Sequence, residues 1–257
     1  MLSKQLTKVV QNLEKKKFRE RYNLFKVEGE KLVGELLLSG LEIRDIIATS
    51  GWIERQHRTF PGIQVTEAGE KEMGKVSGFQ SPPDVIALAE IPAYTFHPEE
   101  IEENLTIALD GIQDPGNLGT ILRVADWFGV HHILCDRKCA GVYNSKCVQA
   151  SMGAIFRVKT FYVELPAVLK ELKNENYPVF GTFLDGENIY GSPLYGKGVI
   201  VMGNEGKGIS EEIERMTDFK LTIPRFSTDE RKTESLNVGV AAGIVLSEFR
   251  RKTKASN

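Results

Sequence analysis

Apolar positions along the chain switch repeatedly between helical and strand spacing, and the switches mark out elements. Leu2, Leu6, Val9, Val10 and Leu13 form a helical stripe with the lysines mostly off it. Residues 24–28 are a short apolar segment ending at Gly29. Leu32, Val33, Leu36 and Leu37 predict a helix stopped by Ser39-Gly40. Residues 41–48 predict a strand, Ser50 a cap for a short helix through Arg58, and residues 63–65 a brief strand. Residues 67–76 predict a polar helix and 84–91 an apolar strand. Strands alternate with helices, so residues 1–92 predict a small α/β domain. From Pro92 the sequence PAYTFHPEEIEEN breaks the pattern with two prolines and clustered glutamates, and residues 93–104 read as a linker.

The alternation resumes at residue 105. An apolar strand (105–112) runs into the breaker-rich turn QDPGNLG, and Leu118, Ile121, Leu122, Ala125 and Phe128 then form a helical stripe. Strands follow at 131–135, 155–161, 179–184, 198–202 and 220–223. Helices are predicted at 143–152, 166–177 and 236–250. Repeated βα units predict that residues 105–257 form an α/β domain, its mostly parallel sheet covered by helices on both faces.

Charge refines the first domain. The 257-residue chain carries a net −2, yet eight basic and two acidic residues lie between Lys4 and Lys26. Such a run fits a phosphate-binding arm or a solvated helix face equally well. Three cysteines match no paired framework, which points to a reducing, cytoplasmic compartment. No apolar run approaches the length of a membrane span or a signal core, so no membrane association is expected.

Three constellations carry candidate chemistry, all in the second domain. Asn117 sits at a strand-to-helix turn, and Arg123 lies ~140° around the helix from Leu118. An arginine there reaches the carboxyl edge of the sheet, where open α/β sheets bind ligands. Taken alone, the spacing fits a surface Arg123–Asp126 pair better. The second is Gly203-Asn204-Glu205-Gly206-Lys207-Gly208, directly after a strand, where glycines let a backbone approach a ligand. It matches neither the P-loop nor the dinucleotide fingerprint. The third is Ile223-Pro224 with Ser235-Leu236-Asn237. Ser235 is the predicted cap of the last helix, which leaves Asn237 free for another role. Cys135, Cys139, Cys147, His131 and His132 have no metal-ligand spacing, so no metal is expected. No histidine falls in the three constellations, which argues against hydrolases with a His base.

Together these motifs resemble those of the SpoU (TrmH-like) RNA ribose methyltransferases of the SPOUT superfamily, over about residues 105–251. The segment RERYNLFKVEGEKLVGELL is similar to the small α/β RNA-binding domain that many members carry. The resemblance implies a C-terminal trefoil knot, a threading that periodicity never reveals. It implies a homodimer that transfers methyl from S-adenosylmethionine to a ribose 2′-hydroxyl of tRNA or rRNA. Carried onto this chain, the cofactor would lie near Thr182, Leu184, Gly203, Asn204, Gly206, Ile223 and Leu236. The resemblance casts Arg123 as general base; a guanidinium is a poor base, so the alternative role is to bind the RNA phosphate and lower the hydroxyl's pKa. Asn117, Glu205, Ser235 and Asn237 would orient the reacting groups. The loop RFSTDERKTE departs from the family, whose members have a shorter, glycine-containing loop there. A non-catalytic RNA-binding protein of the same fold is the alternative.

Overall fold

The computed structural model describes residues 1–56, 60–101, 104–227 and 234–252. The chain forms two compact units, Met1–Ala93 with Gly141–Phe156, and Tyr94–Ala140 with Arg157–Asn257. In chain order, the first unit has helices α1 (Lys4–Asn12) and α2 (Lys16–Tyr22), strand β1 (Leu24–Glu28), α3 (Glu30–Leu38), β2 (Ile43–Ala48), α4 (Ser50–Arg55), β3 (Gln64–Glu67), α5 (Glu70–Val76) and β4 (Val85–Glu90). Next come β5 (Leu105–Asp110), α6 (Pro115–Trp127), β6 (His132–Asp136) and α7 (Ser145–Ser151). The chain ends with β7 (Lys159–Val163), α8 (Leu165–Asn174), β8 (Val179–Asn188), β9 (Gly198–Gly203), α9 (Glu211–Glu214), β10 (Phe219–Thr222) and α10 (Val238–Lys252).

The first unit has a four-stranded sheet in the order β1-β4-β2-β3, with β2 and β3 parallel and the other pairs antiparallel. The expected stripe Leu2–Leu13 lies along α1, and a break separates it from α2. Arg19 explains the break: it is buried, and its Nη1 donates to the carbonyls of Leu13 (2.8 Å) and Glu14 (2.9 Å), filling acceptors that α1 leaves open at its end. Lys26 is also internal. Its ammonium lies 2.7 Å from Glu14 and 2.6 Å from Glu28. Two of the eight basic residues therefore serve the fold, while Lys4, Lys8, Lys15, Lys16, Lys17 and Arg21 remain exposed. Thr49, rather than Ser50, caps α4 by accepting from the Trp52 amide. The predicted end of that helix at Arg58 lies outside the described residues.

Residues 141–156, which the sequence pattern assigns to the second domain, pack in the first unit. Tyr143 packs its ring 4.6 Å from Phe25, and Ser145 Oγ donates to Glu14 (2.9 Å). Continuous reading along the chain cannot see this, because the apolar spacing of α7 does not say which core it joins.

The second unit holds a six-stranded sheet in the order β10-β8-β9-β5-β6-β7, every pair parallel. Strands buried on both faces read as continuous apolar runs, as β5 (LTIALD) and β9 (GVIVMG) do. Parallel pairing brings all the strand carboxyl ends to one edge, and the ends of β5, β8, β9 and β10 carry the predicted motifs there. Pairing of β8 with β10 is interrupted: Lys220 faces Gly181 and Leu221 faces Glu187. Residues 182–186 thus make an excursion, with Leu184 exposed on it.

Candidate active site

The turn after β5 builds the first wall. Asp110, buried, accepts from the Ser210 amide (2.7 Å), and Gly111 adopts φ +72°. Asp114 then caps α6: its carboxylate accepts from the Asn117 amide (2.9 Å), with Pro115 at the first helical position. Asp114-Pro115 is a start signal legible in sequence, whereas Asp110 opens the same motif but its tie to the Ser210 amide cannot be read from spacing.

The glycine-rich loop after β9 folds back on itself. Asn204 and Gly208 exchange backbone hydrogen bonds of 3.0 and 2.8 Å. A Cβ on Gly203 would lie 2.2 Å from the Gly208 carbonyl carbon, so only glycine fits. Asn204 commits both side-chain groups to shaping the turn. Its Nδ2 donates to Gly111 O (2.7 Å), and its Oδ1 accepts from the amides of Gly206 and Lys207.

Three motifs meet through side chains. Asn117 Nδ2 donates to Glu205 Oε1 (2.7 Å), and Asn237 Nδ2 donates to Asn117 Oδ1 (2.9 Å). Asn237 Oδ1 accepts from the amides of Gly239 (2.9 Å) and Val240 (3.3 Å). Asn237 therefore caps α10, which corrects the expectation that Ser235 does. The cap must directly precede the first helical residue, and that residue is Val238. Ser235 and Leu236 are exposed ahead of the cap.

Arg123 projects from α6 into solvent with no ion pair or side-chain hydrogen bond among the described residues. The Arg123–Asp126 pair is not formed, because Asp126 is engaged by Arg157. Thr182 turns its hydroxyl to Val201 O (3.1 Å), and Thr222 Oγ1 donates to Leu184 O (3.2 Å), which holds the β8 excursion beside Ile223. Leu184 is 77% exposed and Leu236 49%. Residues 228–233 of the charged loop, including Asp229, Glu230, Arg231 and Lys232, lie outside the described residues.

Among the described residues, no group of three or more His, Cys, Asp or Glu side chains could hold a metal ion. Among them, no helix is long and apolar enough to cross a membrane.

A family model described as the SpoU rRNA methylase family matches residues 104–247, and one described as an MRM3-like substrate binding domain matches residues 4–87. The chain is 32% identical over 245 residues to the 23S rRNA (guanosine(2553)-2′-O)-methyltransferase RlmP of Bacillus subtilis, covering 93% of each. Among solved structures, a proposed RNA methyltransferase of the TrmH family from Porphyromonas gingivalis is 38% identical with TM-score 0.89, over 98% of this chain and 100% of that one. An AdoMet-bound rRNA methyltransferase from Sinorhizobium meliloti is 28% identical with TM-score 0.85, over 98% and 96%.

Proposed function

The chain belongs to the SpoU rRNA methylase family, and from that premise we propose that it methylates a ribose 2′-hydroxyl of ribosomal RNA. It is an RNA 2′-O-methyltransferase, with S-adenosylmethionine as cofactor. The residues present fit that cofactor. Gly203 lets the loop after β9 close against the Gly208 and Ile209 backbone, which leaves main-chain groups at the strand end, and exposed Leu184 and Leu236 offer apolar faces to a purine. When bound, S-adenosylmethionine supplies a methyl group already activated on a sulfonium.

The chain's own task is then to align the hydroxyl and ease the loss of its proton. In our reading the hydrogen-bonded run Glu205–Asn117–Asn237 carries this. It locks the loop after β9, the start of α6 and the start of α10 into one frame. Arg123, exposed and uncommitted, binds the RNA phosphate and stabilises the developing alkoxide. It does not act as the base, since a guanidinium has no lone pair to accept a proton and stays charged in proteins. Ser235, whose hydroxyl the cap does not use, orients the substrate. Thr182, Asn204, Gly206 and Ile223 hold the cofactor through main-chain groups, Asn204 by shaping the loop. The first unit, residues 1–92 in sequence terms, docks RNA through its exposed lysines. A C-terminal trefoil knot, a homodimer and a cytoplasmic location belong to the same proposal.

Mapping 2′-O-methyl sites in total RNA from strains with and without the gene tests the substrate, and identical maps would refute it. Arg123→Lys should lose methyl transfer while S-adenosylmethionine still binds in a calorimetric titration. Wild-type turnover in that variant would remove Arg123 from its role.

A further inference from the structure

We infer that Arg157 is a positioning residue that keeps Arg123 free for RNA, by holding away the carboxylate that would otherwise neutralise it. The inference rests on the reading of Arg123 given above. Arg123 and Asp126 lie three positions apart on α6, which makes them neighbours on the helix surface. Side chains on a helix lean toward its N-terminus, so the Asp126 carboxylate leans toward Arg123 by default. It does not meet it: both of its oxygens accept from Arg157 instead. Arg157 Nε lies 3.1 Å from Oδ1 and 3.1 Å from Oδ2, and Nη2 lies 2.8 Å from Oδ2. Planar arginine forks favour this geometry over a looser pair with a second guanidinium. Asp126 is the more enclosed partner, its side chain 25% exposed against 46% for Arg157.

If Arg157 is removed, Asp126 is released next to Arg123, and an intrahelical pair competes with the RNA phosphate. The competitor is a surface ion pair, so the penalty is modest. It amounts to roughly two- to fivefold in apparent RNA affinity at low ionic strength, and it disappears as salt screens the charges.

The test measures kcat and KM for methylation of total RNA from a strain lacking the gene, at about 20 mM and about 300 mM salt. The variants are Arg157→Gln, Asp126→Asn, the double variant, and Arg123→Lys. Arg157→Gln should raise KM for RNA roughly two- to fivefold at low salt only, with unchanged S-adenosylmethionine affinity. Asp126→Asn should show no such rise, and the double variant should return to the wild-type KM, because the released side chain is then uncharged. A KM that stays raised in the double variant, or no rise in Arg157→Gln, overturns the inference. A purely structural salt bridge would make Asp126→Asn as harmful as Arg157→Gln. If Arg157→Gln does not fold, Asp126→Asn decides alone: a raised KM there refutes the role. Full activity of Arg123→Lys would instead refute the reading of Arg123 on which this rests.

Discussion

Replacing Asn117 by Asp tests the frame that joins the three motifs. The substitution keeps shape and removes one donor, the Nδ2 that reaches Glu205 at 2.7 Å. Two carboxylates then face each other at that separation. Glu205 is exposed, so a water-like dielectric applies, and the repulsion is about 1–2 kcal/mol. The lost hydrogen bond to a charged acceptor adds about 1 kcal/mol in so open a place. The total of about 2–3 kcal/mol corresponds to a Tm lowered by roughly 5–10 °C for the unit that holds the site. Methyl transfer should fall with it, because the loop after β9 and the start of α10 lose their common anchor.

The decisive arm is the double variant Asn117→Asp with Glu205→Gln. Direction in this network is forced from one end. A carboxylate only accepts, so Asn117 must present Nδ2 to Glu205 and Oδ1 to Asn237, and Asn237 must present its oxygen to the helix amides. In the double variant, the new amide at position 205 donates to the new carboxylate at position 117. That carboxylate still accepts from Asn237, so every bond is restored with its direction reversed at one link. Melting temperature should recover to within about 2 °C of wild type. A double variant as unstable as Asn117→Asp, or a single variant that melts like wild type, would refute the network.

Two further outcomes follow from the structure. Gly203→Ala should cost about 1–3 kcal/mol and weaken S-adenosylmethionine binding, since the new Cβ meets backbone at 2.2–2.5 Å and the loop must move; calorimetric titration checks this, and unchanged affinity counts against the pocket. In the first unit, burial raises the Glu14 pKa, but hydrogen bonding and charge from Lys26, with help from Ser145 and Arg19, outweigh it and hold the carboxyl below its ordinary 4.5. A depressed carboxylate contributes stability that is present above pH 4.5 and lost as pH falls through the folded value, so Glu14→Gln should flatten the acid side of a pH–melting profile. An unaltered profile would contradict the pairing.

The second unit is legible in the sequence for a physical reason. Strands such as β9 are buried on both faces and read as unbroken apolar runs, and the stripe Leu118, Ile121, Leu122, Ala125 is the buried face of α6. Matters of tertiary choice stay hidden. The periodicity of α7 is compatible with either core, and only the fold places Tyr143 against Phe25. The net charge of residues 4–26 can be counted, but a linear count cannot tell Lys15 in solvent from Lys26 between two carboxylates. Asp126 has two possible basic partners, one near in sequence and one 31 positions away, and local spacing favours the wrong one.

The cap of α10 shows why motif residues resist a division into structural and functional. Ser235 and Asn237 are both good caps by residue type, and the sequence alone favours the first because it frees the second for chemistry. The structure gives Asn237 both tasks at once: its oxygen holds two helix amides while its nitrogen reaches Asn117. The helix start is thereby registered against the site. A shift of α10 by one residue would turn the side chain by ~100° and break the cap and the cross-motif bond together. Gly239 enforces the same register, since a Cβ there would lie 2.7 Å from Thr120 of α6. The position of the Glu205–Asn117–Asn237 frame and the packing of the last helix are therefore one constraint, so a substitution that moves the start of α10 also moves the frame.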